Sequence, residues 1–149
     1  MAATAIDTKP SLTLVRNLKA APEKVYRAWT DSHALTQWFG PSDAFAIVMA
    51  QADVRVGGRF RVVMQAPDGE KHDVSGVYRE VLPNQKLVFT WAWRSTPERE
   101  SLVTVEFRPG RSGGTELTLT HEKFFDVQAR DDHREGWVGC LDRLERFVA

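Results

Sequence analysis

Hydrophobic and polar residues alternate along most of this chain, which is the pattern of strands that bury one face. Seven segments show this alternation or a short apolar run, and turns or polar loops separate them. Because a parallel crossover needs a dozen or more residues, the short connections in the middle of the chain predict antiparallel neighbours. The predicted strands are Ser11–Asn17, Ala44–Ala50, Arg59–Gln65, His72–Val81, Lys86–Arg94, Ser101–Arg108 and Thr115–His121.

Two short helices are predicted between the first and second strands, over Pro22–Trp38. Pro22 suits the first turn of a helix, where its missing N–H costs no hydrogen bond. Asp31 and Ser32 can cap the second helix, and Gly40-Pro41 ends it.

The longest predicted helix covers residues 127–148. Gly136 and Gly139 lie inside it, where each costs about 1 kcal/mol relative to alanine. Close approach to the sheet or room for a ligand would offset this cost. The apolar stripe of the helix consists of Trp137, Leu141, Leu144 and Val148.

This order of elements predicts an α+β protein with a curved antiparallel sheet of six to seven strands, two short helices and a long C-terminal helix. If the sheet curls around that helix, the space between them becomes a cavity. Residues 1–10 are predicted to be a loose tail. Residues 11–149 are predicted to be a single domain, because no linker or repeat interrupts them.

Several motifs accompany this element order. They are Ala21–Thr30, Gln37–Pro41, Val56–Arg61, Gly76–Val81, Leu87–Trp91, Leu117–His121, and Gly136-Trp137 with Leu141 and Leu144. Together they resemble the START-like helix-grip superfamily (SRPBCC), and within it the family similar to the C-terminal domain of the activator of the heat-shock protein 90 ATPase. The resemblance covers nearly the whole chain and implies the helix-grip fold. It leaves the function open, because the superfamily includes ligand carriers, cyclases and co-chaperones.

Charge and composition narrow the class of partner. Lys plus Arg and Asp plus Glu both number 20, so the zero net charge argues against nucleic acid or an anionic membrane as a partner. The apolar run Ala44–Ala50 is too short to span a bilayer, and Met1–Pro10 lacks the apolar segment of a secretory signal. We therefore expect a cytoplasmic protein. With Cys140 as its one cysteine, the chain has no internal disulfide.

Aromatic residues indicate a ligand cavity inside the curved sheet. Since side chains alternate along a strand, Phe89, Trp91 and Trp93 share one face, which is predicted to point inward. Such residues either fill the core or line a cavity of the apolar kind that binds small molecules. A buried indole N–H needs a partner, so we expect Trp91 or Trp93 to border a cavity. The predicted ligand-binding residues are Trp38, Phe60, Met64, Tyr78, Trp91, Trp93, His121, Phe124 and Trp137.

His121 and Tyr78 are the polar candidates within this set. His121 ends an inward-facing strand, where it would serve a ligand as an acid, a base or a hydrogen-bonding group, or would simply bond to backbone. The direction of Tyr78 stays open, because Val77 and Val81 compete for the same face.

Two further expectations concern the surroundings of the cavity. Phe124-Phe125 precedes the last helix and is predicted to act as a gate. Arg61 is expected to form a surface salt bridge with an acid such as Glu106, rather than to bind an anion.

No metal or cofactor site is predicted. His121-Glu122 lacks the second histidine, four residues on, that a metalloprotease helix needs. Asp131-Asp132-His133 is interpreted as a hydrophilic helix start, where carboxylates interact favourably with the helix dipole.

These features favour a small-molecule binding protein for an apolar or aromatic ligand. One alternative is a protein-interaction module such as a chaperone regulator. Another is a cyclase-like or hydrolase-like enzyme that works by positioning and one acid–base group, supplied by His121 or Tyr78. Monomer and homodimer both fit the sequence.

Overall fold

The computed structural model describes residues 9–149, so all but the last two residues of the predicted tail, 1–10, lie outside the described residues. Within residues 9–149 the chain forms seven strands and three α-helices. The strands are β1 (Leu12–Leu18), β2 (Ala46–Ala52), β3 (Arg59–Gln65), β4 (Lys71–Leu82), β5 (Lys86–Trp93), β6 (Ser101–Pro109) and β7 (Thr115–Glu122). The helices are α1 (Pro22–Thr30), α2 (Ser32–Trp38) and α3 (Val127–Val148), and a 3₁₀ turn covers Arg111–Gly113.

All of these strands belong to one antiparallel sheet with the order β1-β7-β6-β5-β4-β3-β2. The predicted α+β class, the antiparallel pairing and the long C-terminal helix are therefore confirmed. β3 and α3 begin and end where the pattern predicts, and the other strand boundaries differ by at most two residues. β2 begins two residues late because Ser42 and Phe45 close a turn, in which the Phe45 N–H donates to the Ser42 carbonyl.

Local chemistry sets the helix ends. Pro22 stands in the first turn of α1, as predicted. The carboxylate of Asp31 accepts a hydrogen bond from the His33 N–H at the start of α2. Asp126 does the same for the Ala129 N–H at the start of α3. These caps satisfy backbone donors that a helix leaves unpaired.

The core lies between the helices and one face of the sheet. Tyr26 of α1 meets Phe107 of β6 edge to face, with ring centroids 5.5 Å apart. The predicted apolar stripe of α3 is buried, and Cys140 is buried beside it. Four inward side chains of β6 and β7 are completely buried, namely Val103, Val105, Leu117 and Leu119.

A bulge in β4 lets Tyr78 and Val81 face the same side of the sheet. Tyr78 pairs with Phe89 and Val81 pairs with Leu87, but the register shifts between these two pairs. An extra residue in one strand changes which face of the sheet the following side chains point to, so both Tyr78 and Val81 face inward. Burial raises the pKa of the Tyr78 hydroxyl, which therefore stays protonated at physiological pH.

Candidate functional site

An open cleft of about 1260 Å³ lies at one end of the sheet, beside the first part of α3. It is formed where β2 and β4 begin, where β3 and β5 end, and where the chain leaves α2. It extends to both faces of the sheet, since Val63 and Met64 are neighbours on β3 and both line it. The part between sheet and helix is called the inner cleft. It is lined by Phe39, Met64, Trp91, Trp93, His133 and Trp137.

His133 of α3 joins two tryptophans of β5. Its Nε2 accepts hydrogen bonds from the indole N–H of Trp93 at 2.9 Å and of Trp91 at 3.3 Å. The proton of the neutral imidazole is therefore on Nδ1, which donates to the Ala129 carbonyl. Burial lowers the pKa of His133, although the hydrogen bond to Ala129 opposes this shift. The indoles thus border a cavity while their polar partner is a protein side chain.

His121 is completely buried in a second set of hydrogen bonds. Trp137 donates its indole N–H to Nδ1 of His121 at 2.9 Å. The neutral ring therefore carries its proton on Nε2, which lies 2.7 Å from Oγ of Ser101. Ser101 in turn donates to the Trp91 carbonyl at 3.3 Å. Burial, and to a smaller extent the neighbouring His133, holds the pKa of His121 well below its ordinary value.

The Ser101–His121 pair is arranged differently from a catalytic serine–histidine pair. A catalytic histidine takes the serine proton on a free Nε2, while its Nδ1–H donates to a carboxylate. Nε2 of His121 already carries a proton, and Nδ1 accepts from Trp137. This arrangement fixes the positions of aromatic rings and offers no base to activate the serine.

The nine predicted ligand-binding residues fall into three groups. Four line the cleft, namely Met64, Trp91, Trp93 and Trp137. Phe124 borders a smaller cavity instead. The other four lie in the core and line neither cavity, namely Trp38, Phe60, Tyr78 and His121.

Packing explains why Trp38 and Phe60 belong to the core. Trp38 ties α2 to α1, because its indole N–H donates to the Ala28 carbonyl at 2.8 Å. Phe60 lies over Gly76 of β4, where a Cβ would collide with the ring, and meets Phe89 edge to face at 5.1 Å.

Sequence reasoning missed three ring-bearing residues at the mouth of the cleft. Phe45, His72 and His133 form a row with Trp93. The order of the rings is Phe45, His72, Trp93 and His133, and their successive centroids are 5.9, 6.4 and 5.9 Å apart. We call these four residues the mouth stripe, and all four are partly exposed. One signal was available in the sequence, because His133 lies four residues before Trp137 and extends the inward stripe of α3 by one turn.

A smaller cavity of about 230 Å³ lies on the other side of Trp91, Trp93 and His133. Phe124, predicted as part of a gate, is buried and lies against His121 with ring centroids 4.1 Å apart. Phe125 is 59% exposed, and the Arg99 guanidinium stands 3.9 Å from the centre of its ring. The two phenylalanines therefore border this smaller cavity and do not line the main cleft.

Charged residues surround the cleft on the outer face of the sheet. Arg61 holds Asp73 with two hydrogen bonds of 2.8 and 3.1 Å, and Arg94 approaches the same carboxylate at 3.7 Å. The Arg61 guanidinium lowers the pKa of Asp73. The predicted partner of Arg61 was wrong, because Glu106 lies on β6, which β5 and β4 separate from β3, and it pairs with Arg108.

The two glycines of α3 have different surroundings. A Cβ at Gly139 would overlap the carbonyl oxygen of Pro41, so the helix and the loop after α2 touch backbone to backbone. A Cβ at Gly136 would meet no atom of the described residues within 4 Å, and Gly136 lines the cleft.

No three His, Cys, Asp or Glu side chains of residues 9–149 are grouped so that they would hold a metal ion. Within the same range, no helix has both the length and the apolar content needed to cross a membrane.

Comparison with known proteins identifies the family. Residues 19–149 match the family described as Activator of Hsp90 ATPase homolog 1-like protein, and the chain belongs to this family. A human relative, Activator of 90 kDa heat shock protein ATPase homolog 1, is 27% identical over 127 residues. That match covers 85% of this chain and 33% of the human protein, so the chain spans about a third of that relative.

Solved structures confirm the helix-grip-like fold. A protein from Chromobacterium violaceum is 30% identical, with a TM-score of 0.83 and coverage of 93% of this chain and 96% of that one. The AHSA1 protein from Silicibacter pomeroyi is also 30% identical, with a TM-score of 0.81 and coverage of 92% and 96%. The resemblance stated from the sequence motifs is therefore confirmed.

Proposed function

We propose that this protein binds one apolar or aromatic small molecule in the inner cleft. The observation that carries the proposal is the mouth stripe, in which four partly exposed rings stand in a row beside an open cleft. Small-molecule sites are concave and mostly apolar, with few polar groups. A planar or hydrocarbon ligand would cover these rings and remove their apolar surface from water.

The inner cleft supports this proposal because its wall is already ordered. Trp91, Trp93 and His133 hold one another by hydrogen bonds within the protein. A ligand therefore does not have to order these side chains itself, and that ordering cost is one of the main terms opposed to binding.

Titration with 1-naphthylacetate tests the proposal. We expect saturable quenching of tryptophan fluorescence and a rise in Tm, because a ligand that binds only the folded state stabilises it. Trp93→Leu should weaken binding by about tenfold, as is common for a central aromatic contact. Phe147→Leu is the matched control, since Phe147 is an exposed ring that lines neither cavity, and it should leave the affinity unchanged. Absence of binding by apolar ring compounds would refute the proposal.

A second candidate function is regulation of a chaperone ATPase. It is supported by the similarity to the human relative, whose name states that it activates the ATPase of a 90 kDa heat shock protein. The measurement is the ATP hydrolysis rate of the 90 kDa heat shock protein from the same organism, with and without this chain. A rate increase that saturates with added chain would support this function. An unchanged rate, together with no detectable complex, would exclude it.

A further inference from the structure

We infer that the buried part of the ligand is an apolar ring system without hydrogen-bonding groups, and that Gly136 limits its width. This inference rests on the proposed function, because it describes the molecule that the inner cleft accepts. It follows from two independent features, namely the hydrogen bonds of the cleft wall and the contrast between the two glycines of α3.

The indole N–H groups of the inner cleft, and both ring nitrogens of His133, already have protein partners. The indole N–H groups of Trp91 and Trp93 go to His133, and that of Trp137 goes to His121. The remaining ring nitrogen of His133 goes to Ala129. A polar ligand atom placed against this wall would leave water without gaining a partner, which is unfavourable. The polar end of the ligand therefore points out of the inner cleft toward solvent, and Arg94, whose side chain is 80% exposed, lines the outer part of the same cleft.

Gly136 has no structural reason to be glycine. Its backbone does not adopt a positive φ angle that would require glycine. A Cβ there would meet no atom of the described residues within 4 Å. Gly139, three residues further on, is explained by its contact with Pro41. Since alanine is the better helix former, a glycine at position 136 weakens the helix and benefits only the cleft that it lines. A side chain at this position would stand in the space that the ligand occupies.

Two ring probes of different width test the role of Gly136. 1-Naphthylacetate and pyrene-1-butyrate both carry one carboxylate, and binding of each is followed by fluorescence. Gly136→Leu should weaken both by about tenfold or more. Gly136→Ala should weaken pyrenebutyrate by about fivefold and change naphthylacetate by less than about twofold. Val138→Leu is the control in the same helix, because Val138 does not line either cavity, and both affinities should stay unchanged.

A third probe tests the chemistry of the buried part. Quinolin-4-ylacetate has the shape of 1-naphthylacetate, with a ring nitrogen opposite the carboxymethyl group. We expect it to bind about tenfold more weakly, because the indole N–H groups and the His133 N–H of the inner cleft already donate within the protein and are not free to serve that nitrogen. Equal binding of the two would overturn the apolar class of the ligand.

The outcomes for the inference and for the proposed function are distinguishable. If the wild-type protein binds neither naphthylacetate nor pyrenebutyrate, the proposed function fails and the inference falls with it. If the wild type binds and Gly136→Leu binds equally well, only the role of Gly136 is overturned. Thermal unfolding of each variant shows that it is folded, and Gly136→Ala carries the test if the leucine variant is not.

Discussion

The backbone of Gly139 in α3 lies directly against the carbonyl oxygen of Pro41, with no room for a Cβ between them. Arg143, one turn further along α3, holds the same loop through the Phe39 carbonyl at 2.6 Å and the Asp43 carboxylate at 3.1 Å. The loop after α2 is therefore fastened to the middle of the helix, and one end of the cleft depends on this contact.

Alanine substitutions at the two glycines of α3 should have opposite effects. Gly139→Ala should lower the free energy of unfolding by about 1–3 kcal/mol, because the added methyl overpacks the contact with Pro41. Gly136→Ala should raise it by up to about 1 kcal/mol, since the methyl group meets open space and alanine favours the helix. Urea unfolding measures both, and equal signs would contradict the described geometry.

Removal of the Trp137 side chain should destabilise the protein. Trp137 is 3% exposed, so Trp137→Ala is expected to lower the free energy of unfolding by about 3–5 kcal/mol. Trp137→Phe keeps a ring but leaves Nδ1 of His121 without its donor, which should cost about 1–3 kcal/mol. A change below about 1 kcal/mol for the alanine variant, measured by chemical denaturation, would show that this side chain is not part of the core.

Stability should decrease as the pH falls below about 6.5. Burial lowers the pKa of both His121 and His133, so the folded protein keeps them neutral. The unfolded chain, with ordinary histidine pKa values, binds these protons more readily and gains stability relative to the folded state as the pH falls.

Urea unfolding at pH 7.5 and pH 5.5 checks this expectation. His133→Gln should show a smaller decrease between the two pH values, because one of the titrating groups is gone. Asp73, whose pKa is lowered by Arg61, loses its stabilising effect only in the more acidic range below its ordinary pKa of 3.8. Equal stability at the two pH values would contradict the neutral state of the two buried histidines.

Cys140 should react slowly with thiol reagents in the folded protein. It is 3% exposed, and burial raises its pKa to about 12, so the reactive thiolate is scarce near neutral pH. The rate of reaction with Ellman's reagent should rise strongly on unfolding in urea. Cys140 lines the cleft, and a fast reaction of the native protein would contradict the burial of its thiol.

The elements of this fold could be predicted because alternation and helical spacing are local properties of the sequence. The alternation of side chains along a strand placed Trp91 and Trp93 on the inward face for the same reason. This alternation does not say whether an inward residue meets open space or another ring, so Phe60 was indistinguishable from a cleft residue. That distinction depends on where α3 and the loop after α2 lie, which is a tertiary property.

Partners across the sheet could not be read from the sequence either. Arg61 pairs with Asp73 because β3 lies beside β4, whereas the predicted acid lies on β6. The bulge that lets Val81 face inward together with Tyr78 depends in the same way on how β4 and β5 are aligned.

The acceptor that Trp91 and Trp93 share at His133 constrains which amino-acid substitutions this family tolerates at these three positions. Because one imidazole nitrogen serves Trp91 and Trp93, replacing the histidine alone leaves both indole N–H groups without this acceptor, while replacing either tryptophan alone leaves a gap beside the other. Single substitutions at these positions are therefore costly, because each one removes a partner of the other two side chains. Natural variation at positions 91, 93 and 133 should consequently be correlated.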